Sequence, residues 1–389
     1  MLSLRFEIGI IMRYFVIAGE ASGDLHGGRL IRSLLSRDAS AEFEFLGGDE
    51  MSSAAGVPPL IHYRDMAFMG FFEVLKHLRS ILGFMRQAKS AMTKRRPDAL
   101  ILIDYPSFNL KVARWAHERK IPVFYFISPK VWAWKEWRVK DIKRYVDSLY
   151  SILPFEVSWY AERGYTVDYV GNPTVGEVAE ARRGFLPREA FCEKWGLNAS
   201  KPIIALVPGS RRKEICDNLP SMLSAARRHS DCQAVVAAAP SIDASLYGEV
   251  AGGEVPLVSG ATMELVANAS VALVTSGTAT LETAVIGTPQ VACYRMNGSK
   301  WVYRFYSKLL HGKYVTLPNL ITDSPVIAEL LLHRCTADTI DAHLTPLLSA
   351  DSAERCEMLS GYNRMMAALG DSDCTNEAAR RIVAALVGK

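Results

Sequence analysis

An aspartate at the end of an apolar run is a candidate catalytic residue in this sequence. The segment Ala99-Leu-Ile-Leu-Ile-Asp104 places a carboxylate directly after five apolar residues, which is the pattern of a buried parallel strand. Ligands of open α/β sheets bind outside the carboxyl ends of the strands. Asp104 could therefore act as a general base toward a substrate hydroxyl. The alternative is that it caps the next helix or binds loop amides.

A basic turn in the second half of the chain has the composition of a phosphate site. Leu206-Val-Pro-Gly-Ser-Arg211 follows an apolar run and leads into a helical pattern. Backbone amides at a helix N-terminus attract phosphate, and a guanidinium adds a bidentate donor. The pattern favours anion binding by Ser210 and Arg211, with a solvated basic turn as the alternative.

A second glycine and threonine loop follows another apolar run. Val274-Thr-Ser-Gly-Thr contains Ser276, Gly277 and Thr278 and precedes a helix that carries Glu282. Two such loops side by side could hold a diphosphate, and a carboxylate one turn further along the helix could accept hydrogen bonds from a ribose. The combination indicates a sugar nucleotide, with a threonine-capped core helix as the alternative.

The opening loop AGEASGDLHG, residues 18–27, is also rich in glycine. Its glycines have neither G-x-G-x-x-G nor P-loop spacing, which disfavours a dinucleotide cofactor. From spacing alone the loop could be a plain turn in which Ser22 or Asp24 caps the following helix.

The stretch at 66–85, MAFMGFFEVLKHLRSILGFM, is the most apolar part of the first half. Positions 68, 71, 72, 75, 78, 82 and 85 share one helical face, as in a core helix. Core packing does not account for Met66 and Met69 as well. These additional apolar side chains predict a surface that binds acyl chains or a bilayer interface, with neighbouring Lys and Arg side chains contacting anionic lipid. The residues expected there are Phe68, Met69, Phe71 and Phe72.

A tryptophan-rich segment, SPKVWAWKEWR at 128–138, mixes aromatic and basic side chains. Such mixtures suit sugar faces, phosphates and membrane interfaces, or single-stranded nucleic acid. No RNA-binding motif accompanies the segment, and a net charge of +4 on 389 residues does not require a nucleic-acid partner. The seven cysteines form no C-x-x-C pair, so neither a zinc site nor a disulfide framework is expected.

Strand and helix patterns alternate along the whole chain, which predicts an α/β protein with two doubly wound, Rossmann-like domains. The length also suggests two domains. We expect an extension at 1–11, which does not resemble a signal peptide and leaves Met12 as an alternative start. A first domain at 12–175, a second at 176–350 and C-terminal helices at 351–389 follow. No segment is apolar enough to predict a transmembrane helix.

Taken together, the motifs resemble the lipid-A-disaccharide synthase family, in order and over nearly the whole chain from Met12. The matching segments are AGEASGDLHG at 18–27, MAFMGFFEVL at 66–75, IDYPSFN at 103–109, SPKVWAWKEWR at 128–138, ILPFE at 152–156, VGNP at 170–173, VPGSR at 207–211, SGTATLE at 276–282, YRM at 294–296 and YVTLPNL at 314–320.

The resemblance implies a fold of the glycosyltransferase-B type, with two domains facing a cleft and the C-terminal helices returning to the first domain. It implies UDP-2,3-diacylglucosamine as donor and 2,3-diacylglucosamine 1-phosphate as acceptor, without cofactor or metal, at the cytoplasmic face of the inner membrane. A homodimer is compatible with it. Asp104 matches the family's essential aspartate, Arg211 its PGSR arginine, and Asn319 of LPNL a position near the donor.

With the UDP features in the second domain, the opening loop belongs on the acceptor side, where Glu20, Ser22 and Asp24 could position the acyl sugar. Two other functions stay open. A UDP-sugar 2-epimerase shares the architecture but needs no acyl-binding surface. A non-catalytic sugar-nucleotide sensor would bind UDP without forming a disaccharide.

Overall fold

The structure, a computed structural model, describes residues 11–66, 78–275, 277–295 and 313–387. They divide into two units, one bounded by Met1–Pro173 with Ser372–Lys389 and the other by Thr174–Asp371. Phe68, Met69, Phe71, Phe72 and Ser276, which the sequence singled out, lie outside the described residues.

The first unit is built on a parallel sheet in the strand order β3-β2-β1-β4-β5-β6-β7. Strands β1 and β4 are buried along their length apart from Arg13, because helices cover both faces of the sheet. The strands are β1 (Arg13–Ala18), β2 (Glu42–Gly47), β3 (Ile61–His62), β4 (Ala99–Ile103), β5 (Val123–Phe126), β6 (Ser148–Ser151) and β7 (Asp168–Tyr169).

Helices lie between these strands, as the alternation of the sequence predicts. They are α1 (Ala21–Leu35), α2 (Asp49–Ala55), α3 (Tyr63–Met66), α4 (Leu78–Arg95), α5 (Pro106–His117), α6 (Val131–Trp134), α7 (Val139–Tyr145) and α8 (Phe155–Ala161). Helices α4, α5 and α7 share one hydrophobic core on one face of the sheet. Helices α1 and α2 contribute to a separate core on the other face.

The second unit repeats the arrangement with the strand order β10-β9-β8-β11-β12-β13, again parallel. Its strands are β8 (Ile203–Val207), β9 (Gln233–Ala238), β10 (Leu257–Ser259), β11 (Val271–Thr275), β12 (Gln290–Tyr294) and β13 (Ala328–Leu331). Its helices are α9 (Pro173–Arg182), α10 (Arg188–Trp195), α11 (Arg212–Ala226), α12 (Ala244–Ala251), α13 (Thr262–Ala267), α14 (Thr278–Ile286), α15 (Leu317–Thr322), α16 (Ala337–Leu348) and α17 (Ala353–Leu369). The predicted α/β class with two doubly wound sheets is confirmed.

The last two helices pack on different units, whereas the sequence analysis assigned both to the first domain. In α17, the buried Tyr362 donates a hydrogen bond from its hydroxyl to the Thr288 carbonyl (3.2 Å), within the second unit. The final helix α18 (Cys374–Val387) buries Ala378 and Ile382 in the first unit, in the core shared with α1 and α2. Only the last helix therefore returns, because each helix follows the sheet that covers its apolar side chains.

The apolar stretch at 66–85 is only partly described, and its described residues change the interpretation. Met66 is buried at 1% exposure, so it belongs to the core and is not surplus. On α4 the buried face runs through Met85, Ala88 and Met92, while Leu82 is 45% exposed. The predicted core position at 82 was therefore wrong, since the observed helix turns Leu82 to solvent.

Candidate active site

The strand order reverses direction at one point in each sheet, and the predicted site loops lie there. Strands β1 and β4 are neighbours, with Ala18 beside Ile103. Strands β8 and β11 are neighbours in the same way, with Val207 beside Val274. Doubly wound sheets bind ligands at this switch point. The opening loop therefore lies next to Asp104, and the two glycine loops of the second unit lie next to each other.

Asp104 stands on a backbone that few non-glycine residues adopt. Its φ is 42° and that of Tyr105 is 48°, both in the left-handed region. The Asp104 carbonyl accepts hydrogen bonds from the Tyr125 hydroxyl (2.5 Å) and from Asn109 Nδ2 (2.7 Å). Strained backbone persists only where its surroundings hold it in place. These two donors thus fix the direction in which the aspartate leaves the strand.

The Asp104 carboxyl is half-buried, and its pKa is raised. Burial is the main cause, opposed by the positive charge of Lys130 and by the Tyr105 backbone N–H. The carboxyl does not cap α5, where Tyr105 occupies the N-cap position without a side-chain cap. A partly desolvated carboxylate at the carboxyl end of a strand has the character of a general base.

Tyr105 links Asp104 to the opening loop and to the segment before the apolar stretch. Its ring packs so closely on Gly19 that a Cβ at position 19 would overlap it. Its hydroxyl donates to the Met66 carbonyl at 3.1 Å. Burial, followed by the negative charge of Glu20, raises the pKa of Tyr105. Glu20 therefore lies within electrostatic reach of the residue next to Asp104.

The other two loop residues predicted to meet the acceptor differ in position. Ser22 is exposed in the first turn of α1. Asp24 is buried, and its carboxylate accepts hydrogen bonds from the backbone N–H groups of Gly48 (2.6 Å), Glu50 (3.0 Å) and Met51 (3.2 Å). Asp24 thus anchors the start of α2. Backbone amides occupy both carboxylate oxygens, and a contact of Asp24 with the acceptor stays a prediction.

In the second unit, the Glu214 carboxylate binds the PGSR turn. Glu214 Oε2 accepts from the backbone N–H groups of Ser210 (3.1 Å) and Arg211 (3.3 Å), and Glu214 Oε1 accepts from Arg211 Nη1 (2.7 Å). Gly209 has a φ of 112° at the turn. The amides predicted to be open to phosphate are therefore occupied by Glu214. The Arg211 side chain is 65% exposed and so remains accessible.

The neighbouring loop is open at the N-terminus of α14. Gly277, the N-cap, has a φ of 148°, and both Gly277 and Thr278 are exposed. The Gly277 carbonyl accepts from the Thr280 hydroxyl at 2.8 Å. The hydroxyl of Thr275 is buried and has no hydrogen-bond partner within the described part of the chain. The loop thus presents a glycine and a helix N-terminus where an anion can approach.

Glu282 follows on the same helix. It is half-buried, and its pKa is raised by burial and, to a lesser degree, by the negative charge of Glu177. Its position on α14, just past the open N-terminus, is compatible with the predicted contact to a ribose.

Asn319 is used within the fold. Its Nδ2 donates to the Ile327 carbonyl (2.9 Å) and to Glu329 Oε1 (3.0 Å), and its Oδ1 accepts from the Ile327 N–H (2.9 Å). Glu329 also accepts from the backbone N–H groups of Val315 and Thr316. Asn319 therefore orders the segment before β13, and its contact with the donor stays a prediction.

Sequence reasoning assigned no role to two buried charged residues of the first unit, Arg138 and Glu156. Arg138, from the tryptophan-rich segment, is buried and donates from Nη2 to the Ser107 hydroxyl at 2.8 Å. Glu156 is fully buried and accepts from Trp132 Nε1 at 2.9 Å. The signal for Glu156 was present, since it is a carboxylate that directly follows the apolar segment Ile152-Leu-Pro-Phe.

Within residues 11–66, 78–275, 277–295 and 313–387, no group of three or more His, Cys, Asp or Glu side chains could hold a metal ion. No helix in these same ranges has both the length and the apolarity needed to span a membrane.

Solved structures with the same architecture define the class of protein. The UDP-GlcNAc 2-epimerase from Neisseria meningitidis has a TM-score of 0.64 at 11% identity and covers 97% of this chain and 100% of its own. The glycotransferase of kitacinnamycin has a TM-score of 0.63 at 15% identity, with 97% and 100% covered. Such low identities establish the fold alone. The protein is of the glycosyltransferase-B type, a fold that sugar-nucleotide epimerases share.

The particular family follows from the sequence comparisons. The profile of the lipid-A-disaccharide synthetase family matches residues 14–383. The lipid-A-disaccharide synthase of Acidobacterium capsulatum is 37% identical over 372 residues, which cover 91% of each chain. The chain belongs to the lipid-A-disaccharide synthase family and is a glycosyltransferase.

Proposed function

We propose that this chain transfers 2,3-diacylglucosamine from its UDP donor to the 6-hydroxyl of 2,3-diacylglucosamine 1-phosphate. Asp104 accepts the hydroxyl proton, and the oxygen attacks the anomeric carbon from the side opposite UDP. The bond from that carbon to UDP breaks, and the products are the β-1,6-linked disaccharide 1-phosphate and UDP. The configuration at the anomeric carbon is inverted.

The observation that carries this proposal is the Asp104 carboxyl at the switch point of the first sheet. It is half-buried, has a raised pKa and stands on a backbone held by Tyr125 and Asn109. A general base works best when its pKa lies closer to the working pH than that of a free carboxyl. Glu20 and Ser22, in the adjacent opening loop, are the acceptor-binding residues we propose.

The second unit supplies the donor site in this proposal. Arg211 has an accessible guanidinium that can stabilise the charge developing on the departing diphosphate. Ser210, Ser276, Gly277 and Thr278 are the proposed loop contacts, and Glu282 the ribose contact. Bound diphosphate competes with Glu214 for the Ser210 and Arg211 amides. Asn319 acts indirectly, by ordering the segment before β13.

The direct test is incubation of the purified protein with UDP-2,3-diacylglucosamine and 2,3-diacylglucosamine 1-phosphate, followed by mass detection of the disaccharide. We expect one disaccharide 1-phosphate and one UDP for each donor consumed. Release of UDP without a disaccharide, or conversion of the donor sugar to its 2-epimer, would contradict the proposal.

We also propose that the protein binds peripherally to the cytoplasmic face of the inner membrane, through one face of the first unit. Helix α4 has five basic residues and no acidic residue, and α5 has Lys111 and Arg114 without an acidic residue. The pKa of Lys89 is lowered, first by burial and then by the charge of Arg119. Clustered basic side chains attract anionic lipid at about 1 kcal/mol each.

Vesicle co-sedimentation tests this part. Neutralising Arg79, Arg86 and Lys94 on α4 should lower binding to phosphatidylglycerol vesicles about a hundredfold, at about 1 kcal/mol per residue. A matched variant that neutralises three exposed basic residues of the second unit, Lys194, Arg334 and Arg364, should bind as wild type. Equal loss in both variants would remove the assignment to this face. Polar substitutions at Phe68, Met69, Phe71 and Phe72 test the apolar contribution separately.

A further inference from the structure

Glu156 is a buried carboxylate that the proposed reaction leaves without a role. It lies in the first turn of α8 at 0% exposure. Its Oε1 accepts from Trp132 Nε1 at 2.9 Å, and its Oε2 accepts from the Ser151 hydroxyl. The nearby Ser128 hydroxyl favours the ionised form and so lowers the pKa of Glu156. Burying a carboxylate without hydrogen-bond partners costs free energy. The Glu156 carboxyl is therefore held where these partners lie.

Two of these partners flank Lys130 in sequence. Ser128 lies two residues before it and Trp132 two residues after it. Ser128 also shares a hydrogen bond with the Tyr160 hydroxyl at 3.0 Å. The Trp132 ring packs edge-on against Phe155, with ring centroids 5.1 Å apart. The backbone that carries Lys130 is thus anchored to α8 on both sides.

The positive charge of Lys130 acts on Asp104 and on Glu156, lowering the pKa of each. Its own side chain is exposed. A lysine side chain is a flexible four-carbon stem. The average position of its charge therefore depends on how well the backbone beneath it is held.

We propose that Glu156 is a positioning residue that, by holding Trp132, fixes the loop after β5 that carries Lys130. This loop lies next to Asp104, because β5 pairs with β4 so that Phe126 stands beside Ile103. The inference rests on the proposed role of Asp104 as the base. Lys130 favours the ionised form of Asp104, which is the form that accepts the proton of the acceptor hydroxyl. Glu156 itself does not touch the substrate.

The state of Glu156 changes within the physiological range. Burial raises its pKa to about 7, against the hydrogen bonds from Ser151, Trp132 and Ser128 and the charge of Lys130. Tyr160, on the same helix, is also affected: burial is the main cause that raises its pKa, and the negative charge of Glu156 adds to it. The carboxylate accepts both hydrogen bonds most strongly when it is ionised.

The test compares Glu156→Gln, Lys130→Gln and the double variant in the full chain. Each single change should move the acidic limb of the kcat/KM profile upward by about 0.5 to 1 pH unit, because Asp104 loses the nearby charge. The double variant should move no further, since both changes remove one interaction. Lys130→Arg, which keeps the charge, should restore the limb. An unmoved limb in Glu156→Gln, or fully additive shifts, would overturn the proposal.

Controls separate this role from general stability and from the proposed function. Asp38→Asn alters another buried carboxylate of the first unit, which accepts from the Ser40 backbone and hydroxyl, and should leave the limb in place. Trp132→Phe removes the N–H donated to Glu156 while keeping an aromatic ring against Phe155, and it provides the same test if Glu156→Gln does not fold. If Asp104→Asn stays active, the base assignment fails. If it is inactive while Glu156→Gln keeps the wild-type limb, only the present inference fails.

A readout without catalysis is the tryptophan emission of the protein. The emission difference between wild type and Trp132→Phe should titrate with a midpoint near pH 7, which is the pKa of Glu156. In a Glu156→Gln background the difference should not titrate. A titration that persists there would contradict the contact on which the inference depends.

Discussion

The two units have the same strand order around their switch points and place opposite chemistry there. In the first unit the loops after β1 and β4 offer carboxylates, Glu20 and Asp104. In the second unit the loops after β8 and β11 offer glycine, serine, threonine and arginine. One crevice is therefore suited to taking a proton and the other to holding an anion. The comparison teaches that topology locates a site but side chains decide its reaction.

The two crevices also differ in how the backbone reaches its shape. In its two site loops the second unit has glycines at positive φ, Gly209 at 112° and Gly277 at 148°. The first unit uses Asp104 and Tyr105, with Ile127 at the end of β5 also at a φ of 64°. Glycine takes such angles at little cost, whereas other residues need surrounding contacts to hold them. The first site accordingly depends on packed side chains behind it.

The largest effect is expected from a change of the Asp104 carboxylate, which tests whether the first unit supplies the base. Asp104→Asn keeps the shape but cannot accept a proton, so kcat should fall by about 10² to 10⁴. UDP affinity, measured by calorimetry, should stay within about twofold because the second unit is unchanged. Wild-type disaccharide formation by Asp104→Asn would contradict the division of roles.

The pH dependence of the free energy of unfolding should show how much the first unit depends on the buried carboxyl of Glu156. The pKa of Glu156 is about 7 in the fold and near 4.3 in an unfolded chain. Between these two pH values Glu156 is protonated in the folded state and ionised in the unfolded state. Its contribution to the free energy of unfolding therefore falls as the pH rises from about 4.3 to about 7.

Glu156→Gln removes that dependence. Relative to wild type, it should gain on the order of 3 kcal/mol in free energy of unfolding between pH 4 and pH 8. Urea unfolding at both pH values measures the difference. An identical pH dependence in both proteins would show that Glu156 is not the group responsible.

The second unit is probed by its two adjacent arginines. Arg211→Ala should weaken UDP binding and lower kcat by about 10- to 100-fold, the value of a charge-assisted hydrogen bond. Arg212→Ala removes the same charge one residue later and should have little effect, because Arg211 is the residue that ends the PGSR motif. Equal losses in both variants would assign the effect to general charge.

The smallest effect concerns backbone shape in the second unit. Gly277→Ala should reduce UDP affinity about tenfold and destabilise the fold by about 1 kcal/mol, because alanine is strained at a φ of 148°. Gly252→Ala, at a φ of 67° after α12, should cost similar stability and leave UDP affinity unchanged. Loss of affinity in both would trace the effect to stability.

The strands could largely be predicted from sequence, because runs such as Ala99–Ile103 and Ile203–Val207 are apolar throughout. The short strands β3 and β13 have no such apolar run. β3 has two residues, and β13 contains Glu329, which is used to bind the segment before α15. Neither pattern differs from a loop or helix in sequence.

The positions of the site loops were predictable, but the partners of their side chains were not. Asp24 and Asn319 have the residue types of ligand contacts, yet Asp24 accepts hydrogen bonds from backbone amides and Asn319 is bound to the Ile327 backbone and the Glu329 side chain. Glu214 occupies the amides expected to be open. Spacing shows which loops meet at a switch point, whereas hydrogen bonds to residues distant in sequence emerge only from the folded chain.

The return of α18 to the first unit sets an order on biosynthesis. The part of the core of α1, α2 and β1 that Ala378, Ile382 and Leu386 cover stays exposed until these residues have been synthesised. The second unit, at 174–371, is complete in sequence before that point. The unit that begins the chain is therefore the last to close, and a truncation of a dozen or more residues at the C-terminus would expose the core of the N-terminal sheet.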